Sequence, residues 1–144
     1  MTVRAITPAD IPLIVSVWEA QRAIVGLLAP ALPYAAWTPE SASGFLAMAA
    51  VSRMDDVSGS FCALSLNPEA GQYETVPGIT LVVPFGQCFR ACAAALPPGA
   101  SVYGSSPATA PADVRAWLDA RFVATEANGV RTWRATAAEV MAAA

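Results

Sequence analysis

The sequence predicts an α/β (α+β) fold in which a central mixed sheet is flanked by helices. Apolar residues recur with helical spacing in some segments and with strand spacing in others, and the two kinds alternate along the 144 residues. Turn signals rich in Pro, Gly, Asn and Asp separate these segments, without an internal repeat or a long linker. Because a chain of this length forms one core, we expect residues 1–144 to be a single domain.

The chain begins with a predicted strand and two predicted helices. Residues 2–6 alternate as in a short strand. Thr7 is a suitable N-cap for the first helix, Pro8 suits its first turn, and Asp10 complements its dipole. A second Thr-Pro start signal precedes a helix predicted over residues 41–53, with the apolar side chains Phe45, Met48 and Ala49 facing inward.

Three strand-like runs follow, over residues 60–66, 72–76 and 79–83. The Asn-Pro and Gly of residues 67–71 predict a hairpin turn between the first two runs. A third helix is predicted over residues 87–96 and ends at two prolines and a glycine, before a strand over residues 100–104.

The last third contains a small-residue loop over residues 105–111, then a helix that leads into a strand. Asn128-Gly129 turns the chain into a final strand. The predicted order is therefore β-α-α-β-β-β-α-β-α-β-β.

The composition limits the partners. The sequence is 56% hydrophobic and 13% charged, so either part of an apolar surface meets other protein subunits or the hydrophobic fraction reflects alanine, which tolerates exposure. The net charge of −3, with scattered arginines, argues against binding duplex nucleic acid. No run is long enough to span a bilayer and no signal peptide is recognised, so we expect an intracellular protein.

The absence of histidine excludes several kinds of site. Imidazole acid–base catalysis, Ser-His and Cys-His nucleophile pairs and most zinc-enzyme ligand sets all need it. Cys62, Cys88 and Cys92 are expected to be buried thiols, and Asp55-Asp56 lacks the spaced ligands of a calcium loop. We therefore predict no metal site. The four tryptophans are expected to be core or interface anchors: Trp18, Trp37, Trp117 and Trp133.

Both ends of the chain resemble the GNAT acyltransferase superfamily. Residues 3–19, VRAITPADIPLIVSVWE, resemble the first strand, helix start and first helix of that family. Residues 116–122, AWLDARF, resemble the helix that reaches its Tyr-x-x-x-Gly-Phe signature. The resemblance spans nearly the whole chain and implies a GNAT-like sheet, acyl transfer to an amine and acetyl-CoA as the acyl donor.

The positions on which that chemistry depends are altered. The family's Gln/Arg-x-x-Gly-x-Gly/Ala loop, whose N–H groups hold pyrophosphate, corresponds to residues 82–90, where one glycine remains. Gly86, Gln87 and Arg90 are the candidate cofactor-binding residues, although a strand-to-helix turn is the simpler role for Gly86. Trp117 stands where the family commonly has an acidic tyrosine, and Arg121 replaces its glycine.

Two residues are candidates for proton transfer. Glu74 lies on a predicted central strand, where the family often places a carboxylate that accepts an amine proton through water. Tyr103 is a candidate substitute acid. Both residue types are more often structural when they lie on strands.

Two functions from different classes follow. The first is a non-catalytic GNAT-like structural or interaction protein without a cofactor, which resembles the internal virion or assembly proteins of short-tailed phages. Its partners would be protein subunits, and it would be cytoplasmic or virion-associated. The alternative is a divergent acyl-CoA-dependent N-acetyltransferase that acts on a small amine or peptide, with Glu74 or water as the base.

Overall fold

The computed structural model describes residues 3–28, 37–75, 85–107, 116, 119 and 123–142. A 3-10 turn at Pro8–Asp10 precedes the first helix. The helices are α1 (Ile11–Leu28), α2 (Pro39–Met48), α3 (Phe85–Ala94) and α4 (Ala137–Ala142). The strands are β1 (Val3–Ala5), β2 (Val51–Asp55), β3 (Phe61–Asn67), β4 (Gln72–Thr75), β5 (Ser101–Pro107), β6 (Val123–Ala127) and β7 (Val130–Thr136).

The described strands form one seven-stranded sheet in the order β1-β2-β3-β4-β5-β7-β6. Among them, β4 and β5 are the parallel neighbours, and the other adjacent pairs are antiparallel. Parallel neighbours need a crossover between them, and α3 lies on the chain between β4 and β5. The predicted mixed sheet with flanking helices is confirmed.

One predicted boundary is wrong. The second helix ends at Met48 rather than at residue 53, and Val51–Asp55 is β2, which pairs with β1 and β3. Val51 and Met54 are both buried and lie three residues apart. This spacing fits one face of a helix, but it also fits a strand that buries one residue on each of its two faces. The three strands after α2 are therefore β2, β3 and β4, and the predicted strand 79–83 lies outside the described residues.

Other predictions need smaller corrections. Strand β5 continues through Pro107, where a loop was predicted from residue 105, because β7 pairs with it over that whole length. Met48, predicted to face inward, is 80% exposed, since α2 ends at that residue. Helix α4 was not predicted. Within the described helices, none has both the length and the apolar character needed to cross a bilayer.

The core consists of two clusters on opposite faces of the sheet. On one face, Trp18 of α1 stacks on Trp37 at 4.7 Å between ring centroids, and Trp37 stacks on Phe61 of β3 at 5.9 Å. On the other face, α3 and α4 pack against β2, β3, β5 and β7. The expected burial of Trp18, Trp37 and Trp133 is confirmed, whereas Trp117 lies outside the described residues.

An ion pair fixes the start of α1. The Nη1 and Nη2 atoms of Arg4 each donate to a carboxylate oxygen of Asp10 at 2.8 Å, and the Thr7 N–H donates to Asp10 at 2.7 Å. The Arg4 guanidinium, helped by the Thr7 backbone, holds the pKa of Asp10 well below its usual range. Asp10 therefore ties β1 to the first helical turn, a more specific role than the predicted dipole effect.

Asp10→Asn should lower the free energy of unfolding at pH 7 by about 1–2 kcal/mol, because half-exposed Arg4 is partly screened by solvent. A depressed carboxyl pKa stabilises the folded state above the ordinary value of 3.8, and this contribution is lost as the pH falls below it. The difference in the free energy of unfolding between the variant and the native protein should therefore be smaller at pH 3 than at pH 7, as measured by urea unfolding. Glu69→Gln, an exposed carboxylate in the β3–β4 turn, should show no such difference.

Gly59 is required by the turn between β2 and β3. Its φ is +76°, and an added Cβ would lie 2.8 Å from Cγ2 of Val17 and 3.0 Å from Cγ of Leu13. Gly71, in the β3–β4 turn, has φ +64° but open space around it. Comparing alanine substitutions at the two positions therefore distinguishes the cost of backbone strain, present at both, from the cost of steric overlap, present only at Gly59.

Gly59→Ala should destabilise the protein by about 3 kcal/mol, the sum of left-handed strain and overpacking. Gly71→Ala should cost about 1 kcal/mol through strain alone. Gly44→Ala in α2, where a Cβ meets nothing within 4 Å, should stabilise by about 1 kcal/mol. Denaturant midpoints measure all three, and equal costs at Gly59 and Gly71 would contradict the packing argument.

Candidate functional site

The candidate site lies on one face of the sheet, where β4 pairs with β5. Their parallel register places Gln72 opposite Ser101 and Glu74 opposite Tyr103, and β7 pairs with β5 on its other side. Paired residues on neighbouring strands share a face. The register therefore makes one row across the sheet: Ser65, Glu74, Tyr103, Arg134 and Val123. The two residues predicted for proton transfer, 29 positions apart in sequence, are thus neighbours on one face.

Glu74 is held by the hairpin that precedes it. Nε2 of Gln72 donates to its Oε1 at 2.8 Å, and Nδ2 of Asn67 donates to the same atom at 3.1 Å. Oε2 takes no part in these two hydrogen bonds. The side chain is half-buried, so water reaches it. Glu74 could accept a proton, but its present contacts orient it as part of the β3–β4 hairpin.

Tyr103 is covered on one ring face by a cation. The Cζ atom of Arg134 lies 5.4 Å from the centroid of the Tyr103 ring, a cation–π distance. Arg134 is exposed, and it forms no ion pair with another residue of the described ranges. Sequence reasoning missed Arg134. Strand alternation in residues 130–136 assigns it a face, but only the β5–β7 register places it beside Tyr103.

The same face leads to a cavity of about 270 Å³ at the start of β5. Arg134, Gln72 and Ser101 supply polar atoms to its wall, and Glu139 does so as well. Glu139 also accepts from the Thr136 N–H at 3.1 Å, which caps α4. The cavity is of the size that admits a small polar molecule.

The predicted cofactor-binding residues all lie on α3. Gly86 is in its first turn, and Gln87 and Arg90 are half-buried. Cys88, Phe89 and Cys92 form the buried side of the helix. Since α3 packs on the face opposite Glu74 and Tyr103, the two predicted groups of residues are not gathered on one face. Residues 82–84, the first part of the predicted phosphate loop, lie outside the described residues, and the rest of it belongs to α3.

The cysteines behave as buried thiols. Sγ of Cys88 donates to the carbonyl of Ser60 at 3.3 Å, and Sγ of Cys92 donates to the carbonyl of Cys62 at 3.3 Å. Burial raises the pKa of Cys88 to about 12, and contact with Cys92 together with burial raises the pKa of Cys62. Among the described residues, no group of three or more His, Cys, Asp or Glu could hold a metal ion.

Asp55 and Asp56 lie at the start of the β2–β3 turn. The buried carboxylate of Asp55 accepts from the hydroxyl and the N–H of Ser58, at 2.6 and 2.9 Å. The Ser58 hydroxyl lowers the pKa of Asp55, which favours its charged form. Asp56 lies 4.0 Å from Arg4. The pair thus closes the β2–β3 turn.

A contact from the preceding helical segment reaches β7. Ala116 and Asp119 are helical, in agreement with the predicted helix, and Oδ1 of Asp119 accepts from Nε of Arg131 at 2.9 Å and from Nε1 of Trp133 at 3.2 Å. Trp117 and Arg121, the two altered family positions, lie outside the described residues.

Comparison with known proteins identifies the fold. No protein-family model matches the sequence, and no curated protein matches it. A solved structure, an acetyltransferase from Thermus thermophilus, matches with a TM-score of 0.61 over 94% of this chain and 97% of that chain.

The fold is GNAT-like. The sequence identity to that acetyltransferase is 15%, so the likeness concerns the fold. The predicted GNAT-like architecture is confirmed. Within it, Glu74 of β4 pairs with Tyr103 of β5.

Because Cys62, Cys88 and Cys92 are buried, and the pKa values of Cys62 and Cys88 are raised, the native protein should not react with dithiobis(nitrobenzoate) at pH 8, whereas all three cysteines should react in guanidinium. Met48→Cys, at an exposed position, should react at once in the native state. Because the folded-state pKa values of Cys62 and Cys88 lie above the ordinary 9.0, these two thiols stabilise the fold below pH 9, and this contribution falls as the pH rises further. Rapid labelling of a native thiol would contradict the burial.

Proposed function

We propose that this chain is a GNAT-like structural or interaction protein that does not transfer acyl groups and that serves as a phage virion or assembly component. The contacts of its two candidate proton-transfer groups carry the proposal. Glu74 receives two amide hydrogen bonds from its own hairpin, and Arg134 covers Tyr103. Each group already has a role inside the sheet, which is the commoner use of such residues on strands.

The sequence supports the same conclusion. The region that corresponds to the phosphate-binding loop keeps one glycine, Gly86, and Trp117 stands where an acid is common in the resembled family. A protein that neither binds the cofactor nor supplies the protons for the reaction cannot transfer acyl groups, and a GNAT-like fold does not by itself provide either property. The phage assignment rests on a fold-level analogy with the small GNAT-like internal virion proteins of short-tailed phages, rather than on a motif.

The surface also suits protein contacts. Several large apolar side chains are exposed at sites spread over α1, α2, β3, β6 and α4, and the charged fraction of the sequence is 13%. Burying such side chains against another subunit stabilises the assembly by about 25 cal/mol per Å² of apolar area. The exposed apolar side chains on these helices and strands are Leu13, Phe45, Met48, Leu66, Val123 and Met141.

One observation favours the alternative, an acyl-CoA-dependent N-acetyltransferase. Glu74 and Tyr103 are paired in register on one face of the sheet. A carboxylate and a phenol so close together could serve as base and acid for an incoming amine. In that function acetyl-CoA would be the cofactor, and Gly86, Gln87 and Arg90 would approach its pyrophosphate.

Calorimetric titration with acetyl-CoA separates the two functions. On our proposal, no heat of binding is expected up to millimolar acetyl-CoA. Micromolar binding would overturn the proposal and support the enzyme. A known acetyltransferase titrated in the same buffer is the positive control.

Variants at the candidate positions extend this test. Glu74→Gln and Tyr103→Phe should leave the release of CoA from acetyl-CoA, in the presence of small amines, at the background rate of the native protein. If the chain is an enzyme, either change should instead reduce the rate by about 10²–10⁴-fold without changing acetyl-CoA affinity. Gln87→Ala and Arg90→Ala would then weaken that affinity.

A further inference from the structure

Among the described strands, β6 forms one edge of the sheet. It is the last strand in the sheet order, and β7 is its neighbour on one side only among the described residues. Its five residues, VATEA, include neither Lys nor Pro, the residues that commonly block pairing at an edge. Val123, at its start, is 75% exposed. Such an edge offers backbone N–H and C=O groups to a further strand.

The opposite edge is protected. Strand β1 has three residues, and Arg4 at its centre is engaged by Asp10 and Asp56. A short, charged strand of this kind is a poor template for pairing. The two edges thus differ, and β6 is the one that can accept a partner strand.

We propose that β6 pairs with β6 of a second copy of this chain, antiparallel and centred on Thr125, so that one sheet continues through a two-fold axis. This inference rests on the proposed function, because it names the protein subunit with which the chain interacts. An isologous contact of this type requires a self-complementary strand. The sequence of β6 meets that requirement in one register.

In that register Thr125 faces Thr125 of the second copy, Val123 faces Ala127, and Ala124 faces Glu126. No acidic residue faces another, since each Glu126 lies opposite an alanine. The Glu126 carboxylate is also 3.4 Å from Nη1 of Arg131 in its own chain, so its charge is compensated before association. Like charges directly opposite each other would oppose pairing, and this register avoids them.

The side chains on one face reinforce the same register. Val123, Thr125 and Ala127 alternate onto one face, and Val123 of each copy packs against Ala127 of the other. The hydroxyl of Thr125 is 2.8 Å from that of Thr132 on β7, which fixes the side chain at the axis. In the proposed dimer, a contact between Val123 and Ala127 thus lies on each side of Thr125 along the paired β6 strands.

Sedimentation velocity over a range of concentrations tests the association. The native protein is expected to dimerise, and Val123→Lys should raise the dimer dissociation constant at least tenfold by placing a desolvated cation at each end of the junction. Val57→Lys is the matched control, because the same type of side chain is 74% exposed there, in the β2–β3 turn, and it should leave the constant unchanged. Far-ultraviolet circular dichroism confirms that both variants fold. A native protein that stays monomeric, or equal effects of both variants, would overturn the proposal.

Cysteine pairing tests the register. A residue on the axis lies about 5 Å from its own copy between Cα atoms, whereas one two positions away lies about 14 Å from its copy. Thr125→Cys should therefore form an intermolecular disulfide when diamide oxidises the two thiols, and Ala127→Cys should not. Cross-linking of Ala127→Cys instead would overturn this register.

The outcomes keep the two proposals separate. Acetyl-CoA binding by a dimer would contradict the non-catalytic function and leave the β6 pairing intact. If the protein is a monomer and does not bind acetyl-CoA, only the proposed β6 pairing is overturned. Binding of an added synthetic peptide VATEA to a monomer would show that β6 pairs with extended chains but not with its own copy, which also overturns the proposal.

Discussion

The rest of the structure depends on how α3 is anchored to the sheet. This helix lies between β4 and β5, which are parallel and therefore cannot be joined by a tight turn. Its buried thiols, Cys88 and Cys92, donate to backbone carbonyls at the start of β3, and α3 also contacts β2 and α4. Because a close-packed protein core accepts little displacement, the helix holds the crossover in one position. The register that sets Glu74 beside Tyr103 follows from that position.

The two faces of the sheet have different roles. The face under α3 and α4 is closed by apolar side chains, among them Leu64, Val102 and Trp133. The opposite face is closed by the tryptophan stack over β2 and β3, and it carries polar residues over β4, β5 and β7. Polar side chains on that face need not be catalytic. In a GNAT-like fold, a carboxylate and a phenol there become catalytic only if a cofactor is held nearby, and here each also stabilises the hairpin or the sheet.

Local chemistry made several parts of the fold predictable. Asn128 and Gly129 have φ values of +54° and +77°, the left-handed pair that an Asn-Gly hairpin requires. The Thr-Pro start signals before α1 and α2 and the burial of the cysteines were also correct. The position of β2 was missed because Val51 and Met54 fit a helix face as well as a strand that is buried on both sides. Arg134 was missed for a different reason: its significance lies in its neighbour, which no local pattern reveals.

By itself, the sequence determined the kinds of element, their approximate order and the chemistry that is absent, such as imidazole catalysis. These properties depend on residue type and on spacing over a few positions, so they can be derived from local segments. The tertiary structure decided the order of strands in the sheet, the shared face of Glu74, Tyr103 and Arg134, and the open edge at β6. Strand register is set by pairing between residues far apart in the chain, and its energy comes from the whole core. Side chains with no local relation therefore become neighbours only when the sheet forms.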